Sequence, residues 1–162
     1  YDPRTYCGSR CIFNHGDGDI MRVLLTGSRT WKKRAPIEAM MLGLSVVYPK
    51  VHFILGDAPN GLDKFAREIC KDHGLSHVVH EAHWDKLGKS AGHERNGRMV
   101  KDRPDVAFAF RMDGVSRGTD DCIEQARQAG IPSYIMRPLP VFNGEPVPGT
   151  KGYRYNSAVE GP

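Results

Sequence analysis

No stretch of this sequence is long and apolar enough to cross a bilayer: the densest run is Val106-Ala107-Phe108-Ala109-Phe110, against a requirement of about 20 residues. No charged segment followed by an apolar one opens the chain, so no secretory signal is expected. Charge of one sign is nowhere gathered into a block. Basic and acidic residues are mixed along the chain, and a net charge of +4 is too diffuse to argue for a polyanionic partner alone. Cysteine is scarce: of the four, Cys70 and Cys122 fall inside expected helices, which favours buried thiols over a disulfide framework. Compositional bias is missing too, with 40% hydrophobic and 26% charged residues, which excludes fibrous and disordered classes. These absences describe a cytoplasmic chain with no membrane partner, long enough to bury one core without staples.

What is present is alternation. Met21–Thr26 is a short apolar run ending in Gly27-Ser28-Arg29, and a helical stretch follows from Pro36, where a first-turn proline sacrifices no hydrogen bond. Val51–Leu55 is a second strand ending at Gly56. Leu62, Phe65, Ala66, Ile69 and Cys70 then recur at helical spacing up to Gly74. The pattern repeats with a strand over 76–80, a helix over 89–101, a strand over 105–110, a helix over 119–129 capped by Gly130, and a strand over 133–136. Strands alternating with amphipathic helices imply an α/β, Rossmann-like, doubly wound parallel sheet of about five strands in order 3-2-1-4-5. One domain over residues 21–137 is expected. It is flanked by an irregular arm over 1–20 and a Pro/Gly-rich tail over 138–162, whose composition resists helix and sheet alike. Met21 offers an alternative start, with the arm as an optional leader.

In such a sheet the order reverses between the first and fourth strands, and ligands bind outside their carboxyl ends. Gly27, Ser28 and Arg29 follow the first strand; Ser116, Arg117, Gly118 and Thr119 follow the fourth and open a helix, where free amides meet the positive end of its dipole. Each loop alone also reads as an ordinary helix cap. Their joint position at the switch point favours a phosphate site. Between Gly56 and Gly61 lies a third turn on the same edge, and Asp63 beyond it either bonds a ribose hydroxyl or favours the helix start. Arg95 and Asn96, near a fourth helix start, either reach the same ligand or lie on a solvated face.

Thr26-Gly27-Ser28-Arg29, the Gly56 to Asp63 turn, Trp84…Gly88…Ala91-Gly92…Arg95-Asn96…Met99 and Ser116-Arg117-Gly118-Thr119-x-Asp121 together resemble the YspA-like, YpsA-related branch of the SLOG superfamily. The match spans about 21–135. It implies a Rossmann-like domain for nucleotides or nucleotide-derived ligands, with the Lonely-guy phosphoribohydrolases and DNA-processing protein A as relatives, and homo-oligomers common. The second motif departs from the usual Gly-Gly-Ala-Arg-Gly-Ala-Asp. Its turn is one residue longer: Asp57 stands for the second glycine, Pro59-Asn60 for the arginine and Leu62 for the second alanine.

The expected activity is binding of a small-molecule nucleotide, as a sensor or as an N-glycosidic hydrolase or transferase. Glu94, Asp63 and Asp121 are the candidate catalytic carboxylates. No resident cofactor is called for beyond such a ligand. The alternative is a single-stranded nucleic-acid module like DNA-processing protein A, in which Lys32, Lys33 and Arg34 meet phosphate and a base stacks on Trp31; a solvated approach to the helix reads those residues equally well. Cys7, Cys11 and His15 have a spacing that could clip zinc but lack a fourth ligand, so no metal is expected. The histidines at 73, 77, 80, 83 and 93 are scattered over separate elements and read as solvated or packing residues. Phe142, Tyr153 and Tyr155 give the tail aromatics to pack on a neighbour, so a homo-oligomer is expected.

Overall fold

Alternate residues of each central strand serve opposite faces of a parallel sheet. In the computed structural model, which describes residues 20–138 apart from 113 and 115 together with the backbone of 141–142, 145–146 and 154–157, those strands are β1 (Met21–Gly27), β2 (Val51–Gly56), β3 (His77–His80), β4 (Val106–Phe110) and β5 (Ser133–Arg137). They run parallel in the expected order β3-β2-β1-β4-β5. Val23, Leu25, Phe53, Leu55, Val106 and Phe110 enter one core, capped by α1 (Ala35–Val47) and α2 (Leu62–His73). Leu24, Ile54, Ala107 and Ala109 enter the other, under α4 (Ala91–Lys101) and α5 (Arg117–Gln128). The alanines of β4 let α5 lie close on that face, while the large β4 residues fill the opposite layer. Each fully buried Leu, Ile or Phe contributes about 1.5–3 kcal/mol.

Helix boundaries follow local chemistry. Pro36 sits in the first turn of α1, and Gly74 closes α2 in the left-handed conformation, its N–H bonding the Cys70 carbonyl. Cys70 and Cys122 are buried free thiols whose pKa values burial pushes up to about 12. The helix expected over 89–101 is present as α4, and before it, where no helix was expected, lie a one-turn helix α3 (Trp84–Leu87) and a 3-10 turn (Gly88–Ser90). Gly88, at φ +50°, terminates α3 and redirects the chain.

The tail differs from expectation in one respect. Residues 141–142 and 145–146 form a small antiparallel pair (β6 and β7), and β8 (Arg154–Ser157) adds to the sheet antiparallel to β5. The open edge of β5 supplies backbone partners that composition alone does not reveal. Residues 1–19, with Cys7, Cys11 and His15, lie outside the described residues, as do Tyr153 and the side chains of Phe142 and Tyr155. No described helix is long and apolar enough to cross a membrane, and no described group of three or more His, Cys, Asp or Glu could hold a metal.

Candidate functional site

At the carboxyl ends of β1 and β4 the two strands are stitched together by Ser28. Its N–H donates to the Phe110 carbonyl at 2.8 Å, and its hydroxyl accepts from the Met112 N–H at 3.1 Å. That hydroxyl donates in turn to Ser116 Oγ at 3.3 Å, and Ser116 donates to Thr119 Oγ1 at 2.8 Å. The hydroxyl of Ser116 is therefore committed sideways. It does not cap α5, and no side chain does, so the first-turn amides, those of Gly118 and Thr119 among them, have no acceptor among the described residues. The ordinary-cap reading of this loop is thereby removed.

Gly27 and Gly61 allow the loops to close on one another. A Cβ at Gly27 would meet Leu62 Cβ and the Phe110 carbonyl oxygen at 2.7 Å, and one at Gly61, whose φ is +70°, would run into the Ser28 carbonyl. The Ser28 carbonyl also accepts from Leu62 N at 3.4 Å and Trp31 N at 3.1 Å, tying the β1 loop to the start of α2.

Around these loops opens a cleft of about 520 Å³. Its wall includes Gly27, Ser28, Arg29, Asp63, Arg95, Asn96, Ser116, Arg117, Gly118, Thr119 and Asp121. Of the expected residues, Gly56, Gly61 and Glu94 do not line it. Gly56 instead leaves room behind the wall, where a Cβ would come within 2.5 Å of both Arg95 Nη1 and Asp63 Oδ2. Glu94 faces along its own helix to Arg98 at 2.8 Å.

The charges within the wall fall into two groups. Arg95, with its side chain 11% exposed, donates to Asp57 Oδ1 at 2.9 Å, lies 3.6 Å from Asp63 Oδ2, and bonds Asn96 Oδ1 through Nε at 3.1 Å. Its charge is answered by protein carboxylates. Burial pushes the Asp63 carboxyl above its usual range, against the opposing pull of Arg95 and the Ala58 N–H. The longer distance to Arg95 accords with burial winning there. Arg29, Lys89 and Arg117, by contrast, make no ion pair among the described residues.

Asn96 is 1% exposed and cross-braces α4 to α5, its Nδ2 donating to the Gly118 carbonyl at 3.1 Å and to Asp121 Oδ2 at 2.7 Å. Asp121 holds His93 Nδ1 at 2.6 Å with its other oxygen, while the Gln125 amide donates to Asp121 Oδ2 and the His93 carbonyl. His93 lines the cleft, so one of the scattered histidines belongs to the site after all.

Sequence reasoning also passed over Thr30, Trp84, Lys89 and Met112, all of which line the cleft. Trp84 stood within the third motif; the others carried no signal in the sequence. Arg67, likewise unmarked, grips the Gly56 and Ala58 carbonyls at 2.9 Å each and braces the lengthened second turn. Trp31 corrects the stacking expectation: it is 2% exposed, packs edge-on to Phe110 at 5.2 Å, and donates its indole N–H to the Lys33 carbonyl at 2.6 Å. It has no free face for a base.

Comparison with known proteins gives a relative matched over nearly its whole length. The chain is 34% identical over 118 residues to the Gene 61 protein of Mycobacterium phage D29, covering 70% of this chain and 94% of that protein. The chain belongs to the Gene 61 protein family. No family model matches it, and no solved structure does. In this member of the Gene 61 protein family, then, the cleft combines an uncapped helix start, three cations without carboxylate partners among the described residues, and a serine joining the two central strands.

Proposed function

We propose that the cleft binds a nucleotide or nucleotide-derived phosphate ligand, with the phosphate seated on the Gly118 and Thr119 amides and contacted by Arg29 and Arg117. The observation that supports this most is the uncapped start of α5. An anion there accepts hydrogen bonds no side chain supplies and sits at the positive end of the helix dipole. The cleft volume lies in the usual range for small-molecule sites. The SLOG resemblance points the same way.

A binding or sensing role is favoured over N-glycosidic hydrolysis because every carboxylate named for catalysis is engaged. Glu94 pairs with Arg98 outside the cleft, Asp63 is buried beside Arg95, and Asp121 holds His93 and Asn96. The nucleic-acid alternative is less favoured, since Trp31 is buried and Arg34 of the basic run is paired with Glu38 at 3.0 Å and Asp72 at 2.6 Å. Thermal-shift titration with nucleoside monophosphates, ADP-ribose and NAD tests the reading, as a ligand of the folded state raises the melting temperature. At least one should shift it, and Arg29→Ala or Arg117→Ala should abolish the shift; no response to any of them rejects the proposal. Homo-oligomer formation is part of the same reading, and light scattering on the full chain measures it.

A further inference from the structure

The cleft contains one large aromatic ring whose position is otherwise unexplained. Trp84 is 48% exposed and is the sole Phe, Tyr or Trp side chain among the described residues lining the cleft. It does not sit there as a core residue that failed to pack: α3 is held by hydrogen bonds from the Lys86 and Leu87 amides to the His83 carbonyl, which fix the ring's base on the cleft rim. Gly92, at the start of α4, lies against the ring edge, where a Cβ would come 3.5 Å from Cη2. Over the ring lies the Arg29 guanidinium, 5.9 Å from its centroid.

Arg29 is planar, cationic and without a carboxylate partner among the described residues, so the indole is what it rests on. A flat group already occupies the place where a flat heterocycle would stack. We propose that Trp84 is the seat for the ligand's aromatic base: the base stacks on the indole in place of Arg29, and Arg29 turns to the phosphate at the start of α5. This rests on the phosphate reading above and narrows it from phosphate esters in general to base-bearing nucleotides. A sugar phosphate fills the anion seat equally well but leaves the indole in water. The chemistry requires only a π-face, so purine and pyrimidine nucleotides are both accepted, with the larger purine surface preferred.

The two tryptophans make the test direct. Trp31 is buried, whereas Trp84 is half exposed, so a base stacking in the cleft quenches the exposed emitter alone. AMP, ribose 5-phosphate and inorganic phosphate are titrated into the full-length chain, with calorimetric affinities and fluorescence read together. AMP should bind about tenfold or more tighter than ribose 5-phosphate and should alone quench the exposed emission. Trp84→Ala should bring AMP down to the affinity of ribose 5-phosphate while leaving the latter unchanged, and Trp84→Phe should retain most of the AMP preference. Equal affinities for AMP and ribose 5-phosphate in the unsubstituted chain, or equal weakening of both by Trp84→Ala, overturn the base seat and leave the phosphate site standing. Failure of all three probes to bind overturns the phosphate site, and the base seat with it.

Discussion

Asp63 shows how a residue visible in the sequence acquires its meaning only from its surroundings. Its place near a helix start left a ribose contact and a helix-dipole role equally open; burial beside Arg95 makes it part of the wall's internal charge balance. Because its folded pKa is raised, the folded chain holds this proton more tightly than the unfolded chain, and stability from that source is lost as pH rises through the raised value. Urea midpoints of Asp63→Asn and the unsubstituted chain should therefore diverge in favour of the variant as pH climbs from about 4 upward. A difference that shrinks with rising pH would show that Arg95, not burial, governs this carboxyl. Asn96 makes the complementary case. Its amide serves Arg95, Gly118 and Asp121 at once, so Asn96→Ala should cost about 2–3 kcal/mol by removing three hydrogen bonds, two of them to charged groups, read by chemical denaturation.

Among the elements, the start of α5 and the second turn had very different legibility. The run Ser116-Arg117-Gly118-Thr119 announced a helix start at an anion-binding position, but the sequence left open whether Ser116 was the cap; only the position of Ser28 and Thr119, which draw its hydroxyl sideways, answers that. The start of α4 was legible to within two residues, but the one-turn α3 and the break at Gly88 that follows it were not, because four residues are too few to show helical periodicity. Its effect on the site is large, because that break sets Trp84 and Lys89 on the rim. The second turn looked like a damaged phosphate loop and proves to be a scaffold, with Arg67 holding its carbonyls and Gly61 admitting the β1 loop. Gly61→Ala should lower stability by about 2–3 kcal/mol, since it adds both a positive-φ cost and a clash with the Ser28 and Arg29 backbone. Its phosphate affinity should fall as well. Calorimetric melting and phosphate titration of the same variant check both effects.

For the whole molecule, the doubly wound sheet was legible because five apolar runs separated by amphipathic helices admit few arrangements. The antiparallel β8 was not, because edge pairing depends on what the sheet leaves open and not on the strand's own pattern. That topology also governs when the cleft comes into being. The bond from the Met112 amide to Ser28 spans 84 positions of sequence, whereas β1 and β2 meet across a single helical crossover. Loop-closure entropy delays such distant seams, so the β1–β4 junction is expected to close after the folding barrier has been passed. Ser28→Ala, which loosens that seam by about 1–2 kcal/mol, should then accelerate unfolding in stopped-flow experiments and leave the refolding rate nearly unchanged. A slower refolding limb would instead place the junction in the nucleus. With the expected result, a newly made chain gains its binding cleft only after the rest of its architecture is committed, and ligand capture reports completed folding without guiding it.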